Sequence, residues 1–146
     1  MKIEEDHEFW DNLSEPKIPN EYEINIYKQY IKGSVLLLGE TKRLRQLADK
    51  GIDLYPTDFA EKGDWFEIKE HFDTIIGDGV LNFEHGFTLL EYIKPYCDRF
   101  ICRVFMPEIK DIFTGKYAKN FYDEFPGSSV VYKTQKGCCI VVYDFK

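Results

Sequence analysis

The chain of 146 residues reads as one α/β domain, a three-layer sandwich around a mostly parallel sheet with an antiparallel hairpin at its C-terminal end. Three observations predict this. Runs such as Val35-Leu36-Leu37-Leu38 are apolar without alternation, the mark of strands buried on both faces. Between these runs lie stretches with apolar residues at helical spacing, and alternating strands and helices imply a parallel sheet covered on both sides. Finally, Val130–Lys133 and Cys138–Phe145 are two β-rich runs joined by Thr134-Gln135-Lys136-Gly137, the layout of a hairpin.

The elements follow in order. Residues 1–19 carry Trp10, Pro16 and Pro19 in a polar setting and read as an irregular arm, with room for a helical turn around Asp6–Leu13. Asn20, followed three residues later by Glu23, is a capping-box-like helix start. Ile26, Tyr27, Tyr30 and Ile31 continue that helix at the right spacing, and Gly33 stops it. Strand one is Ser34–Gly39. A helix is expected from about Thr41 to Lys50, with Leu44, Leu47 and Ala48 inward and Gly51 as its end signal. Strand two is Ile52–Pro56. Between Asp58 and His71 there is too little chain for a full crossover, so the strand-three region is abbreviated. Phe72–Gly77 is the fourth strand, a helix spans about Phe83 to Lys94, and Arg99–Phe105 is the fifth strand. Pro107 suits the first turn of another helix, whose apolar face is Ile109, Ile112, Phe113, Tyr117 and Phe121.

Composition narrows the function classes. Twelve Phe, ten Tyr and two Trp supply bulk for a core, so disorder is excluded. No apolar run approaches the roughly 20 residues of a spanning helix, and Met1–Asp6 is too acidic for a signal peptide. A soluble cytoplasmic protein, without membrane association, is the expectation. A net charge of −7 argues against a nucleic-acid partner. Cys97, Cys102, Cys138 and Cys139 lack the paired spacing of a zinc site, and His7, His71 and His85 stand isolated, so no metal is expected and the thiols read as reduced.

Apolar Val35–Leu38 running into Gly39, with Asp58 closing a second apolar run 19 positions later, is the layout of a βαβ unit holding an adenosine-containing cofactor. Only Gly39 stands where a dinucleotide fingerprint carries three glycines. Together with Gly63-Asp64-Trp65, the run Phe72–Leu81 and the terminal hairpin, this order resembles the class I S-adenosylmethionine-dependent methyltransferases, over roughly residues 10–146. Within them it looks most like small Rossmann-like members with Leu-Gly-x-Thr in place of the glycine-rich loop.

The resemblance implies a set of roles. Gly39, with the backbone of Glu40 and Thr41, would lie under the methionine part of S-adenosylmethionine. Asp58 would accept from the ribose hydroxyls. Asp64 and Trp65 would hold the adenine, and Asp78 and Gly79 would stand beside the transferred methyl, Asp78 being the nearest general base. Arg103, a cation deep on the fifth strand, needs a partner or a ligand and is a candidate for the acceptor side. Other readings stand next to these. Asp58 also fits an ordinary turn acid, Asp64-Trp65 a core anchor beside a surface acid, and Asp78-Gly79 a turn with a left-handed glycine. A carboxylate at Glu40 either repels the methionine carboxylate or binds its ammonium. The implied activity is methyl transfer to a small-molecule acceptor. The alternative is a non-catalytic methyltransferase-like subunit with a protein partner or a homo-oligomeric state.

Overall fold

The computed structural model describes residues 18–83, 85–105, 127–133 and 138–146. Within them seven strands form one sheet: β1 (Val35–Leu38), β2 (Lys50–Asp53), β3 (Glu61–Lys62), β4 (Phe72–Ile76), β5 (Cys97–Phe105), β6 (Ser128–Lys133) and β7 (Cys138–Asp144). Their spatial order is β3-β2-β1-β4-β5-β7-β6. The strands from β3 to β5 pair in parallel, and β7 runs antiparallel to both β5 and β6. The predicted hairpin is therefore present and closes one edge, while the abbreviated third strand amounts to two residues at the other.

Both faces of the sheet are covered, which is why its central strands are apolar throughout. Along β1 the side chains alternate between two cores. Leu36 and Leu38 point into a cluster with Ile75, Phe100 and Val141, whereas Val35 and Leu37 point into one with Ile76, Ile101 and Ile140. Helix α2 (Gly86–Ile93) covers the first face with Leu89, Leu90 and Ile93. Helix α1 (Glu21–Tyr30) covers the second with Ile24 and Tyr27. Its start is the predicted capping box: Asn20 Oδ1 accepts from the Glu23 amide and Glu23 Oε1 accepts from the Asn20 amide, both at 2.9 Å.

One element is corrected. The helix expected over Thr41–Lys50 is a loop with a single 3-10 turn at Arg45–Leu47. Arg43 sits at φ 71, off the helical path. Further on, the Asp49 amide donates to the Val35 carbonyl and Lys50 pairs with Leu36 in the ladder. The segment is thus used up in carrying the chain back to the start of β1. Leu44 is fully buried there, so its apolar spacing reflected burial and not a helix. Strand β2 also starts and ends earlier than expected, which leaves Asp53 at its carboxyl end and Asp58 five residues beyond, in a loop. The residues 1–17 of the expected arm and the helix expected after Pro107 lie outside the described residues.

Candidate functional site

In a parallel sheet the carboxyl ends of the strands face one rim, and here that rim carries Gly39 after β1, Asp53 at the end of β2, Gly77-Asp78-Gly79 after β4 and Arg103 near the end of β5. Gly39 is held by its amide, which donates to the Ile52 carbonyl at 2.8 Å. Its φ is +107, and a Cβ built on it would meet no atom of the described residues within 4 Å. Glycine is favoured there by conformation, and among the described residues the space beside it is open.

Glu40, next in sequence, turns toward the loop after β2. Its Oε1 accepts from the amides of Ala60 (2.7 Å) and Phe59 (3.1 Å). Its Oε2 accepts from the Thr57 amide (2.9 Å) and the Thr57 hydroxyl (2.6 Å). Partial burial pushes this carboxyl up, but the Thr57 hydroxyl and the three amides outweigh it and bring it down to about 2. The Glu40 carbonyl accepts from Arg45 Nε at 2.6 Å, and Arg45 Nη1 in turn lies 2.7 Å from Asp58. The Asp58 carboxylate is mostly exposed, at 72%.

Asp64 caps the short turn that follows β3, accepting from the Phe66 amide at 2.9 Å. Trp65 is buried in the first core cluster, with its ring stacked on Phe83 at 6.1 Å and its indole N–H donating to the Ile52 carbonyl at 2.7 Å. Ile52 thereby receives both Gly39 and Trp65, which ties the β1 turn to the segment after β3.

Asp78 and Arg103, expected to take separate roles, are brought together. Arg103 Nε and Nη2 donate to the two Asp78 oxygens at 3.0 and 2.9 Å, and both side chains are only 1% exposed. Tyr27, reaching down from α1, donates its hydroxyl to Asp78 Oδ1 at 2.8 Å and accepts the Arg103 amide at 3.0 Å. Glu23, also on α1, lies 3.4 Å from Arg103 Nη1 through the oxygen that completes the capping box. Burial and the Asp78 charge raise Tyr27 well above its ordinary value, so it remains a neutral phenol. Burial opposes the Arg103 charge, but Asp78 more than restores it and the guanidinium stays protonated. Gly79 follows at φ 76, its amide donating to the Arg103 carbonyl at 2.8 Å.

Tyr27 and Glu23 were legible as helix packing and capping, but nothing in their local spacing announces partners 51 and 80 positions away. In the sequence Asp53 is hidden within an apolar run that continues through Leu54 and Tyr55 after the ladder has ended. Among the described residues no group of three or more His, Cys, Asp or Glu is placed to hold a metal ion. Nor is any described helix long and apolar enough to cross a membrane.

No family model and no curated protein matches the chain. Solved structures do. The chain is similar to the fibrillarin/Nop5p complex structure at 12% identity, covering 84% of this chain and 79% of that one, with a TM-score of 0.56. It is similar to the glycopeptide N-methyltransferase MtfA at 12% identity, covering 83% and 87%, with a TM-score of 0.51. Magnesium protoporphyrin IX methyltransferase (ChlM) from Synechocystis PCC 6803, solved with bound S-adenosylmethionine, also matches, at 13% identity, 82% and 73% coverage and a TM-score of 0.46. The architecture described above is the fold of the class I S-adenosylmethionine-dependent methyltransferases, here with a single glycine in the first turn and without a helix directly after β1.

Proposed function

We propose that the chain is an S-adenosylmethionine-dependent methyltransferase acting on a small-molecule acceptor. The observation that carries this reading is the opening beside Gly39, at the carboxyl end of the central strand, where a positive-φ glycine leaves room for a ligand to lie against the backbone. The residues around it fit the cofactor. Gly39 with the backbone of Glu40 and Thr41 would border the methionine part. Two carboxylates are candidates for the ribose hydroxyls: Asp58, already paired with Arg45, and Asp53, half-buried at the end of β2. Asp64 would face the adenine, with Trp65 acting from beneath as the anchor that fixes the segment after β3.

S-adenosylmethionine, when bound, supplies a methyl group already activated by its sulfonium. The chain has then to bind, orient and exclude water, the contributions that proximity and desolvation make to such a transfer. Asp78 stands at the methyl end, yet its two oxygens are taken up by Arg103 and Tyr27. In our reading it holds the ends of β4 and β5 in place, and Arg103 supports the rim from below without touching the acceptor. The net charge of −7 favours a small acceptor over a nucleic acid.

Calorimetric titration with S-adenosylhomocysteine tests this directly. A saturable heat and a rise in melting temperature are expected. No heat and no thermal shift at millimolar ligand would sink the proposal.

A second reading, a non-catalytic binding subunit, draws on the missing helix after β1 and on the folding of Glu40 into the neighbouring loop. A stoichiometric protein partner recovered by pull-down, together with a chain that takes no cofactor, would favour it.

A further inference from the structure

We propose that Glu40 is a positioning residue: its carboxylate crosslinks the β1 turn to the loop at residues 57–60 and so builds the cofactor rim, without the side chain itself touching the cofactor. This deepens the methyltransferase reading and rests on it. The motivating geometry is a closed circuit of contacts. The Glu40 carboxylate gathers the Thr57, Phe59 and Ala60 amides and the Thr57 hydroxyl. The Glu40 carbonyl receives Arg45, and Arg45 returns to the same loop through Asp58. Three backbone amides of one short loop converge on a single carboxylate, an arrangement that suits an anion, and here the chain fills it with its own side chain.

A packing contact closes the circuit beneath. A Cβ on Gly51 of β2 would come within 2.8 Å of the Phe59 ring and 2.9 Å of the Gly39 carbonyl. That glycine allows the loop and the β1 turn to approach each other across the strand. Phe59 lies against the core shared with Leu44 and Val35, so the loop is seated from below as well as pulled from the side.

The chemistry rules against a direct ligand role. A carboxylate free to bind the methionine ammonium would have to present an oxygen to the opening at Gly39. Instead, the Glu40 oxygens accept four donors from the loop that follows β2. Where a helix after β1 would normally stiffen the first turn, this chain has a 3-10 turn, and the Glu40 crosslink takes over the stiffening. Its effect would fall on the part of the rim between β1 and β2, where the nucleoside half of the cofactor lies in the proposed arrangement.

Two measurements on the full chain test this. Hydrogen exchange followed at the amides of Thr57, Phe59 and Ala60 reads the crosslink itself. Affinity for adenosine and for S-adenosylhomocysteine reads its consequence. In Glu40→Ala the three amides should exchange at least about tenfold faster, while amides of β4 and α2 keep their protection. Both ligands should weaken by the same factor, roughly tenfold or more. Glu40→Gln, which keeps one accepting oxygen, should fall between Ala and the wild type. Should Glu40→Ala not fold, Arg45→Ala opens the opposite side of the circuit and should show the same parallel loss at smaller amplitude.

Unchanged exchange at all three amides would overturn the crosslink. A loss of S-adenosylhomocysteine affinity with adenosine unaffected would overturn the positioning role, because Glu40 would then contact the amino-acid half. Wild-type protein that takes neither ligand overturns the cofactor reading, while exchange at residues 57–60 still decides whether the crosslink exists.

Discussion

Removing the Asp78 carboxylate should unfold much of what the carboxyl end of the sheet is built on. In Asp78→Ala the Arg103 guanidinium, 1% exposed, loses the two contacts at 3.0 and 2.9 Å and keeps Glu23 at 3.4 Å. Tyr27 loses its acceptor at the same time. A buried charge stripped of its principal partner costs about 3–5 kcal/mol. A domain of this size has a total stability of about 5–15 kcal/mol. The variant should therefore lose a fifth or more of its stability, and at roughly 2–4 °C per kcal/mol its melting temperature should drop by about 6–20 °C.

Urea unfolding followed by far-UV circular dichroism and tryptophan fluorescence at neutral pH measures this. The same experiment on Arg103→Met and on the double variant gives a cycle. Removing both ends at once leaves no stranded charge between them, so the double variant should be destabilised by clearly less than the sum of the singles. Asp78→Asn adds the decisive comparison with the chemistry. It keeps the shape and drops the charge, so it should lose stability too. Two results would refute the reasoning: a cycle that is additive within about 0.5 kcal/mol, or Asp78→Asn with the wild-type midpoint and no turnover, which would return Asp78 to the role of base.

Four further outcomes follow from the same geometry. Glu40 has a folded value of about 2, below its unfolded one, so its contribution is present above about pH 4.5 and is lost as pH falls toward 2; thermal melts of wild type and Glu40→Gln should differ at pH 6 and converge near pH 2. The raised Tyr27 works in the opposite direction, stabilising below its unfolded value near 10 and losing that contribution as pH rises beyond it, so Tyr27→Phe should flatten the alkaline arm of the stability profile. Burial pushes the Cys97 and Cys102 thiols up to about 12, so iodoacetamide at pH 8 should leave both unmodified in the native protein and label them in urea, as mass spectrometry of peptides would report. Gly39→Ala forces a side chain onto φ +107, which should cost about 1–3 kcal/mol in urea unfolding and, with its Cβ in the open space, weaken S-adenosylhomocysteine binding in calorimetry.

How far these residues could be read from the sequence depends on the range of their partners. Val35–Leu38 and the capping box of Asn20 and Glu23 announce themselves because burial on two faces and a reciprocal pair three residues apart both leave local signatures. The stretch 41–50 misleads for the same reason. Leu44 and Leu47 have helical spacing, but the local preference is overridden when Lys50 enters the ladder beside Leu36 and Arg43 takes a positive φ. Where β2 ends is a matter of ladder pairing with β3, so apolar Leu54 and Tyr55 conceal that the strand-end carboxylate is Asp53.

The candidate site was legible as a set of positions and not as a set of bonds. Asp78 and Arg103 were each singled out by their places at strand ends, yet their pairing arises from neighbouring strands 25 positions apart and could not be read from either alone. The pairing changes what both can do. Both oxygens of this carboxylate are already engaged by a guanidinium and a phenol, and a cation 1% exposed cannot reach an acceptor without unseating α1. In the proposed function the chemistry at this rim falls to alignment over the opening at Gly39, held by two anchors: the buried Asp78 network under β4 and β5, and the part-buried Glu40 crosslink between the β1 turn and the loop after β2. If alignment is the main task, variants of either anchor should change ligand affinity and turnover together, since both depend on the same fixed rim.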